Sequence, residues 1–245
     1  MSLLSVQGLV VTYASRGGLV RAVDGAELEI PAGSIVGLVG ESGCGKSTLG
    51  RALMGVLPEA GRIAGGRGMF EGQDLVALPE RARRALRWRR MSFIPQTAMN
   101  ALDPVQRLRA QMLEVLQERG GLARGAALAR AEALFRMVGL DPARLVDSPH
   151  QFSGGMRQRA SIALALALEP PLVIADEPVT ALDVIVQRQV LDVLRELQAR
   201  LNLAMILVTH DMAVVAYACD RVAVMYAGQI VESGPVAEVL ERPLH

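Results

Sequence analysis

Ser34-Ile35-Val36-Gly37-Leu38-Val39-Gly40-Glu41-Ser42-Gly43-Cys44-Gly45-Lys46-Ser47-Thr48 is the stretch on which the fold turns. The apolar run over 34–39 predicts a buried strand that leads straight into Gly40. Helical patterning begins at Lys46 and runs to about Leu57. Strand, glycine-rich loop and helix in that order fit G-x-x-x-x-G-K-[ST], from Gly40 through Glu41, Ser42, Gly43, Cys44 and Gly45 to Lys46, Ser47 and Thr48. Glycines let the backbone turn tightly, so that successive N–H groups point inward at an anion. The helix behind the loop adds its positive N-terminal end. Lys46 would reach the β- and γ-phosphates of a nucleotide, and the Ser47 hydroxyl would ligate Mg²⁺. A glycine-rich strand-to-helix turn without a ligand is the competing reading; the four features together weigh against it.

A second strand end complements the first. Leu172-Val173-Ile174-Ala175-Asp176-Glu177 places two carboxylates after a buried apolar run, where burying them without cations is costly. Asp176 is positioned to hold Mg²⁺ through its water shell, and Glu177 to polarise an attacking water. Taken alone, the same residues also fit a strand that ends in a solvated acidic turn.

Between and around these motifs the chain alternates. Residues 3–13 and 25–30 carry strand-like alternation around Arg16-Gly17-Gly18, and Pro31-Ala32-Gly33 reads as a turn. A basic helical stretch over 79–88 precedes a short strand at 91–94. Residues 98–168 are helical in pattern, broken at Gly120-Gly121 and Asp141-Pro142. Beyond the acidic strand come an amphipathic helix at 184–201, a strand at 204–208, and a hairpin at 222–225 and 229–232 around Ala227-Gly228. This alternation argues a mostly parallel α/β sheet covered on both faces, with ligands at the carboxyl ends of its strands.

The bulk properties exclude other classes. The 245 residues fit one large domain or one with an inserted lobe, and 51% hydrophobic content supports a sizeable core. A formal charge of +1 gives no electrostatic case for nucleic acid. Mean hydropathy is +0.30, yet no apolar run approaches the ~18 residues of a spanning helix. The start Met1-Ser2-Leu3-Leu4-Ser5 lacks signal-peptide character. Cys44 and Cys219 make no disulfide framework, so a reducing cytosol is expected. Arg81, Arg83, Arg84, Arg87, Arg89 and Arg90 crowd around Trp88, which reads as a solvated helix face ahead of a nucleic-acid patch.

Phe152-Ser153-Gly154-Gly155-Met156-Arg157-Gln158 then sets the class, because with the motifs above it the chain resembles the ATP-binding subunits of ABC transporters over nearly its whole length. The resemblance implies an ABC ATPase fold: a RecA-like P-loop core with an antiparallel β subdomain and an inserted α-helical subdomain. Residues 1–97 and 169–235 would form the core with its β subdomain, 98–168 the inserted signature subdomain, and 236–245 the start of a C-terminal extension. It further implies ATP and Mg²⁺ as ligands. Gln96 is similar to the Q-loop glutamine that contacts metal and water, Ser153, Gly154 and Gly155 to the signature, and Asp183 in Ala181-Leu182-Asp183 to the D-loop. His210 is similar to the switch histidine and Tyr13 to the aromatic that stacks on adenine. Physical chemistry accompanies these assignments. Ser153 can cap a helix whose first N–H groups Gly154 and Gly155 leave accessible, which makes a second anion site. In the family that site faces ATP held by the opposite subunit, so function would need two chains. Phe152 departs from the family's usual Leu but stays apolar.

Residues 86–96, Ala98-Met99-Asn100-Ala101-Leu102-Asp103-Pro104-Val105 and Arg242-Pro243-Leu244-His245 resemble the dipeptide, oligopeptide and nickel importer branch. That implies a second ATPase subunit, identical or paralogous, and transmembrane permease subunits met through the region after Gln96. It also implies an extracytoplasmic substrate-binding protein and a peripheral place on the cytoplasmic face of the membrane. Relatives in that branch continue past such a Pro-Leu-His ending, in some cases with cysteines for an iron-sulfur cluster. Peptide import is the leading expectation, with nickel or another small solute as the alternative. A soluble ABC ATPase acting on nucleic acid or ribosomes is the rival class; the short interval from Gln96 to Ser153, without sustained heptads, and the single cassette count against it.

Overall fold

The structure is a computed structural model that describes residues 2–15, 17–96 and 101–245. Arg16 of the expected glycine-rich turn and residues 97–100 of the post-glutamine segment lie outside the described residues, as does Met1. Along the chain run β1 (Ser2–Ser15), β2 (Gly18–Pro31), β3 (Ile35–Val39), α1 (Lys46–Met54), β4 (Gly61–Phe70), β5 (Gln73–Asp74), α2 (Glu80–Leu86) and β6 (Met91–Ile94). Then come α3 (Leu108–Glu114), α4 (Arg124–Met137), α5 (Gly154–Ala165), β7 (Leu172–Asp176), α6 (Val184–Leu201), β8 (Ala204–Thr209), α7 (Met212–Ala218), β9 (Arg221–Tyr226), β10 (Gln229–Pro235) and α8 (Val236–Glu241). Two compact units divide these elements: Met1–Leu86 with Ala204–His245, and Arg87–Leu203.

The first unit holds an antiparallel sheet in the order β2-β1-β4-β5. The second strand of its hairpin begins at Gly18, ahead of the expected residue 25, because Val20 and Val23 pair with Tyr13 and Val11 across the turn. Sequence patterning missed β4 and β5, since the glycines at 61, 65, 66 and 68 dilute the alternation that marks a strand. The pairing with β1 needs one of those glycines. A Cβ at Gly66 would fall 2.4 Å from the Gly8 carbonyl oxygen, beside a register shift between Gln7 and Val10.

The same unit contains parallel strands with β3 between β8 and β9, and β10 antiparallel to β9. Every residue of β3 and β8 is buried, as strands covered on both faces must be. Under β3 lies a cluster of Val39, Val215, Val222, Val236 and Val239, with Cys219 packed against it. Burial there, and to a lesser degree the neighbouring Asp220 charge, push the Cys219 thiol up to about 12. Helix α1 ends at Met54, short of the expected Leu57, because Gly55 adopts a left-handed C-cap at φ 63° and its N–H bonds to Ala52.

In the second unit β6 and β7 are parallel, with Met91 opposite Leu172 and Ile94 opposite Ala175. The other regular elements of that unit are helical among the described residues. The breaks foreseen at Gly120-Gly121 and Asp141-Pro142 coincide with the end of a π-helical turn at Val115–Arg119 and with a 3₁₀ turn at Pro142–Val146 capped by Asp141. Helix α6 spans Val184–Leu201 as patterned, with Val190, Leu191, Leu194 and Leu197 buried. No described helix is long and apolar enough to cross a membrane.

Candidate active site

Each unit carries its own group of the expected site residues. In the first, β3 delivers the chain to Gly40 and α1 begins at Lys46. Two glycines of the loop between them have no room for a side chain. A Cβ at Gly40 would lie 2.1 Å from the Met225 carbonyl oxygen, and one at Gly45 2.2 Å from the Ala22 carbonyl oxygen. Gly45 is also the N-cap of α1 at φ 113°, a backbone geometry that side chains resist. Lys46 is 5% exposed, and its Nζ donates to the carbonyls of Gly40 at 2.7 Å and Glu41 at 2.8 Å, which meets the cost of burying an ammonium. The β9–β10 turn supports the loop from outside: Gly228 N–H donates to the Cys44 carbonyl at 2.9 Å, and the Gly228 carbonyl accepts from Asp24 N–H at 2.8 Å. These supports from Ala22, Met225 and Gly228 were not legible in the sequence.

Thr48 and Tyr13 meet, with Tyr13 Oη and Thr48 Oγ1 3.4 Å apart. Tyr13 is half-buried on β1, and its ring lies against Gly61 of β4, where a Cβ would come within 2.6 Å. Exposed Glu41, Ser42 and Gly43 form the loop's outer rim, and Ser47 is partly exposed in the first turn of α1. His210 shares this end of the parallel strands. Thr209, the last residue of β8, pairs with Val39, so His210 and Gly40 are the next residues on neighbouring strands. Asp211 then caps α7 by accepting from Ala213 N–H at 2.8 Å.

In the second unit the β6–β7 register ends with Ile94 opposite Ala175. Two residues further on, Gln96 Nε2 donates to Glu177 Oε2 at 2.9 Å. Asp176, the last residue of β7, is 1% exposed. Glu177 leaves the strand at φ 48° and enters a turn closed by Thr180 N–H on its carbonyl at 3.2 Å. Thr180 Oγ1 donates to the same Oε2 at 2.9 Å. Sequence reading passed over Thr180; a hydroxyl three residues after a carboxylate, across a proline turn, was the available signal.

The signature residues sit at the start of α5. Ser153 Oγ accepts from Met156 N–H at 3.3 Å, which makes it the helix N-cap. Buried Gly155 packs on α6, where a Cβ would fall 2.3 Å from Val186 Cγ1; exposed Gly154 has only an ordinary 3.5 Å neighbour, Leu182 Cδ2. Asp183 caps α6 through Val186 N–H at 3.0 Å. Phe152 is buried, and the Arg144 guanidinium stands 4.5 Å from its ring centroid, a contact that Leu would not give. Arg157 Nη1 donates to the Phe152 carbonyl at 2.7 Å and ties down the strand-like entry to the helix.

Residues 23–180 match the family model described as ABC transporter. The chain is 44% identical over 99% of its length to the oligopeptide transport ATP-binding protein OppD of Bacillus subtilis, covering 69% of that protein. To the dipeptide transport ATP-binding protein DppD of Escherichia coli it is 42% identical over its whole length, covering 76% of that protein. Among solved structures, a dimeric ATP-binding cassette in a post-hydrolysis state with ADP and Pi superposes with a TM-score of 0.84 at 24% identity, over 95% of this chain and 98% of that one. CbiO1 of Clostridium perfringens, part of an ABC transporter complex, gives 0.84 at 26% identity, over 98% of this chain and 91% of that one.

Proposed function

The chain belongs to the ABC transporter family, and from that premise we propose that it is the ATP-hydrolysing subunit of a peptide importer. It works as one of two ATPase subunits at the cytoplasmic face of the membrane. The observation that carries this reading is that one chain presents two glycine-lined helix starts, α1 behind Gly45 and α5 behind Ser153, one in each unit. Each is suited to an anion. A chain that binds one ATP with the first has the second to offer to the ATP of a partner chain.

In this reading Gly40 to Thr48 hold the β- and γ-phosphates, Lys46 neutralises them, and Tyr13 stacks on the base. Ser47 and Asp176 are hard oxygen donors of the kind Mg²⁺ prefers, with Gln96 as a further contact. Bound Mg²⁺ would neutralise charge developing on the phosphate oxygens. Glu177 accepts a proton from the water whose oxygen attacks the γ-phosphorus; the bond to the bridging oxygen breaks, and ADP leaves with phosphate. His210 hydrogen-bonds to the γ-phosphate, and Asp183 lies at the subunit junction. The work is positioning and charge neutralisation. Residues 98–168 serve as the signature subdomain, and the region after Gln96 meets the permease subunits. An extracytoplasmic binding protein completes the complex, and the second ATPase subunit is this chain or a paralogue. Identity of 42–45% to several oligopeptide and dipeptide ATPases supports peptides over nickel as cargo.

The test is a transporter with one Ser153→Arg subunit. Hydrolysis is expected to fail at the ATP held by the unmodified chain; failure confined to the modified chain's own phosphate loop would overturn the shared-site arrangement. ATP-driven uptake of di- and oligopeptides into vesicles carrying the full complex checks the cargo, and uptake of Ni²⁺ alone would overturn it.

A further inference from the structure

Glu177 is held in a way its proposed role does not by itself require. Its backbone lies in the left-handed region at φ 48°, and so does that of Ala181 at φ 66°. A side-chain-bearing residue there is strained and persists only where its surroundings fix it. The turn between them is anchored by Pro178 and Val179, both buried, while Thr180 itself is exposed. Core packing therefore does not explain a threonine at 180. Among the described residues its hydroxyl donates to the Glu177 carboxylate oxygen Oε2 at 2.9 Å, and that oxygen also receives Gln96 Nε2 at 2.9 Å. One donor comes from the β6 side and the other from the turn that leads to Asp183.

We infer that Thr180 is a positioning residue for Glu177: with Gln96 it fixes the orientation of the carboxylate that takes the proton from the attacking water. Two donors on one oxygen hold a half-buried carboxylate more firmly than one, because a single bond leaves rotation about the last side-chain torsion free. The same bond ties the orientation of the base to the conformation of the 180–183 turn, whose Leu182 Cδ2 stands 3.5 Å from where a Cβ at Gly154 would lie. The inference rests on the reading of Glu177 as the base, and the experiment separates the two.

Thr180→Val, Thr180→Ser, Glu177→Gln and the Glu177→Gln/Thr180→Val pair are compared in the assembled transporter, with nucleotide affinity from equilibrium titration and hydrolysis from single-turnover assays. Thr180→Val is expected to lower the hydrolytic rate roughly tenfold, the loss of one hydrogen bond to a charged group, with nucleotide affinity and melting temperature unchanged. Thr180→Ser restores the rate. In the Glu177→Gln background Thr180→Val causes no further loss, because the residue acts through that carboxylate. A wild-type rate in Thr180→Val, or an equal fold-loss with and without the Glu177 carboxylate, overturns the positioning role while leaving the base assignment intact. Wild-type turnover in Glu177→Gln alone overturns the base assignment beneath it. Were Thr180→Val to unfold, Thr180→Ala, which removes the hydroxyl without the second methyl, gives the same readings.

Discussion

The phosphate loop and the signature turn both put glycines in front of a helix, yet they are built on different principles. At the loop, glycine is demanded by backbone: the Met225 and Ala22 carbonyl oxygens stand where a Cβ would go, and no rotamer change moves them. At the signature, Gly155 is demanded by a side chain, Val186, and Gly154 by nothing closer than ordinary contact among the described residues. The loop is a fixed cradle completed within its own unit. The signature turn has a spare glycine, which the proposed function assigns to the ATP of a partner chain. Under the proposed function the loop holds its own chain's ATP and the signature turn meets the ATP of another, and steric demand differs at the glycines of the two.

The sharpest way to break this contrast is Gly45→Ala. Its Cβ meets a backbone oxygen at 2.2 Å, and the residue sits at φ 113°. The expected result is destabilisation by about 3 kcal/mol or more, with loss of nucleotide binding. Thermal unfolding with and without nucleotide measures both. A stable variant that still binds ATP would show that the cradle is softer than its geometry implies.

A middle-sized effect separates the two signature glycines. Gly155→Ala must displace the Val186 methyl at 2.3 Å, and a cost of about 2 kcal/mol is expected. Gly154→Ala has room and stands in the first turn of a helix, so its stability should stay within about 0.5 kcal/mol of wild type. If Gly154→Ala nevertheless loses hydrolysis in the assembled pair, the glycine serves a neighbour's phosphate. Equal melting temperatures for the two variants would remove the contrast.

The sequence spoke clearly wherever a pattern was local. The strand–loop–helix around Gly45, the 91–94 strand and the 184–201 helix are periodic or motif-bound, and they lie where that periodicity puts them. Strand β4 was silent because its glycines answer to β1 across the sheet, and no window along the chain contains that partner. The end of α1 depended on one φ angle at Gly55. At the site, charges and glycines announced themselves by type: Lys46, Asp176, Glu177. Thr180 did not, because a threonine in a turn is unremarkable until the carboxylate it faces is known. The supports of the loop at Ala22, Met225 and Gly228 were hidden for the same reason, each being a backbone atom brought in from a distant strand.

The smallest effect is also the most discriminating. Ser153 has two candidate duties: capping α5, which the 3.3 Å bond to Met156 N–H shows, and facing a partner's phosphate, which the functional reading requires. Ser153→Ala removes both, and at this exposed, rather long cap the stability loss should be about 0.5–1 kcal/mol. Ser153→Asp splits them. Aspartate caps as well as serine and favours the positive end of the helix, so the melting temperature should return to the wild-type value or slightly above it. The same carboxylate stands where a γ-phosphate would approach, and like charges there repel. Hydrolysis in the assembled pair should therefore stay low in Ser153→Asp although stability is regained. If hydrolysis recovers together with the melting temperature, Ser153 is a cap and nothing more, and the second anion site has to be sought in Gly154 and Gly155 alone.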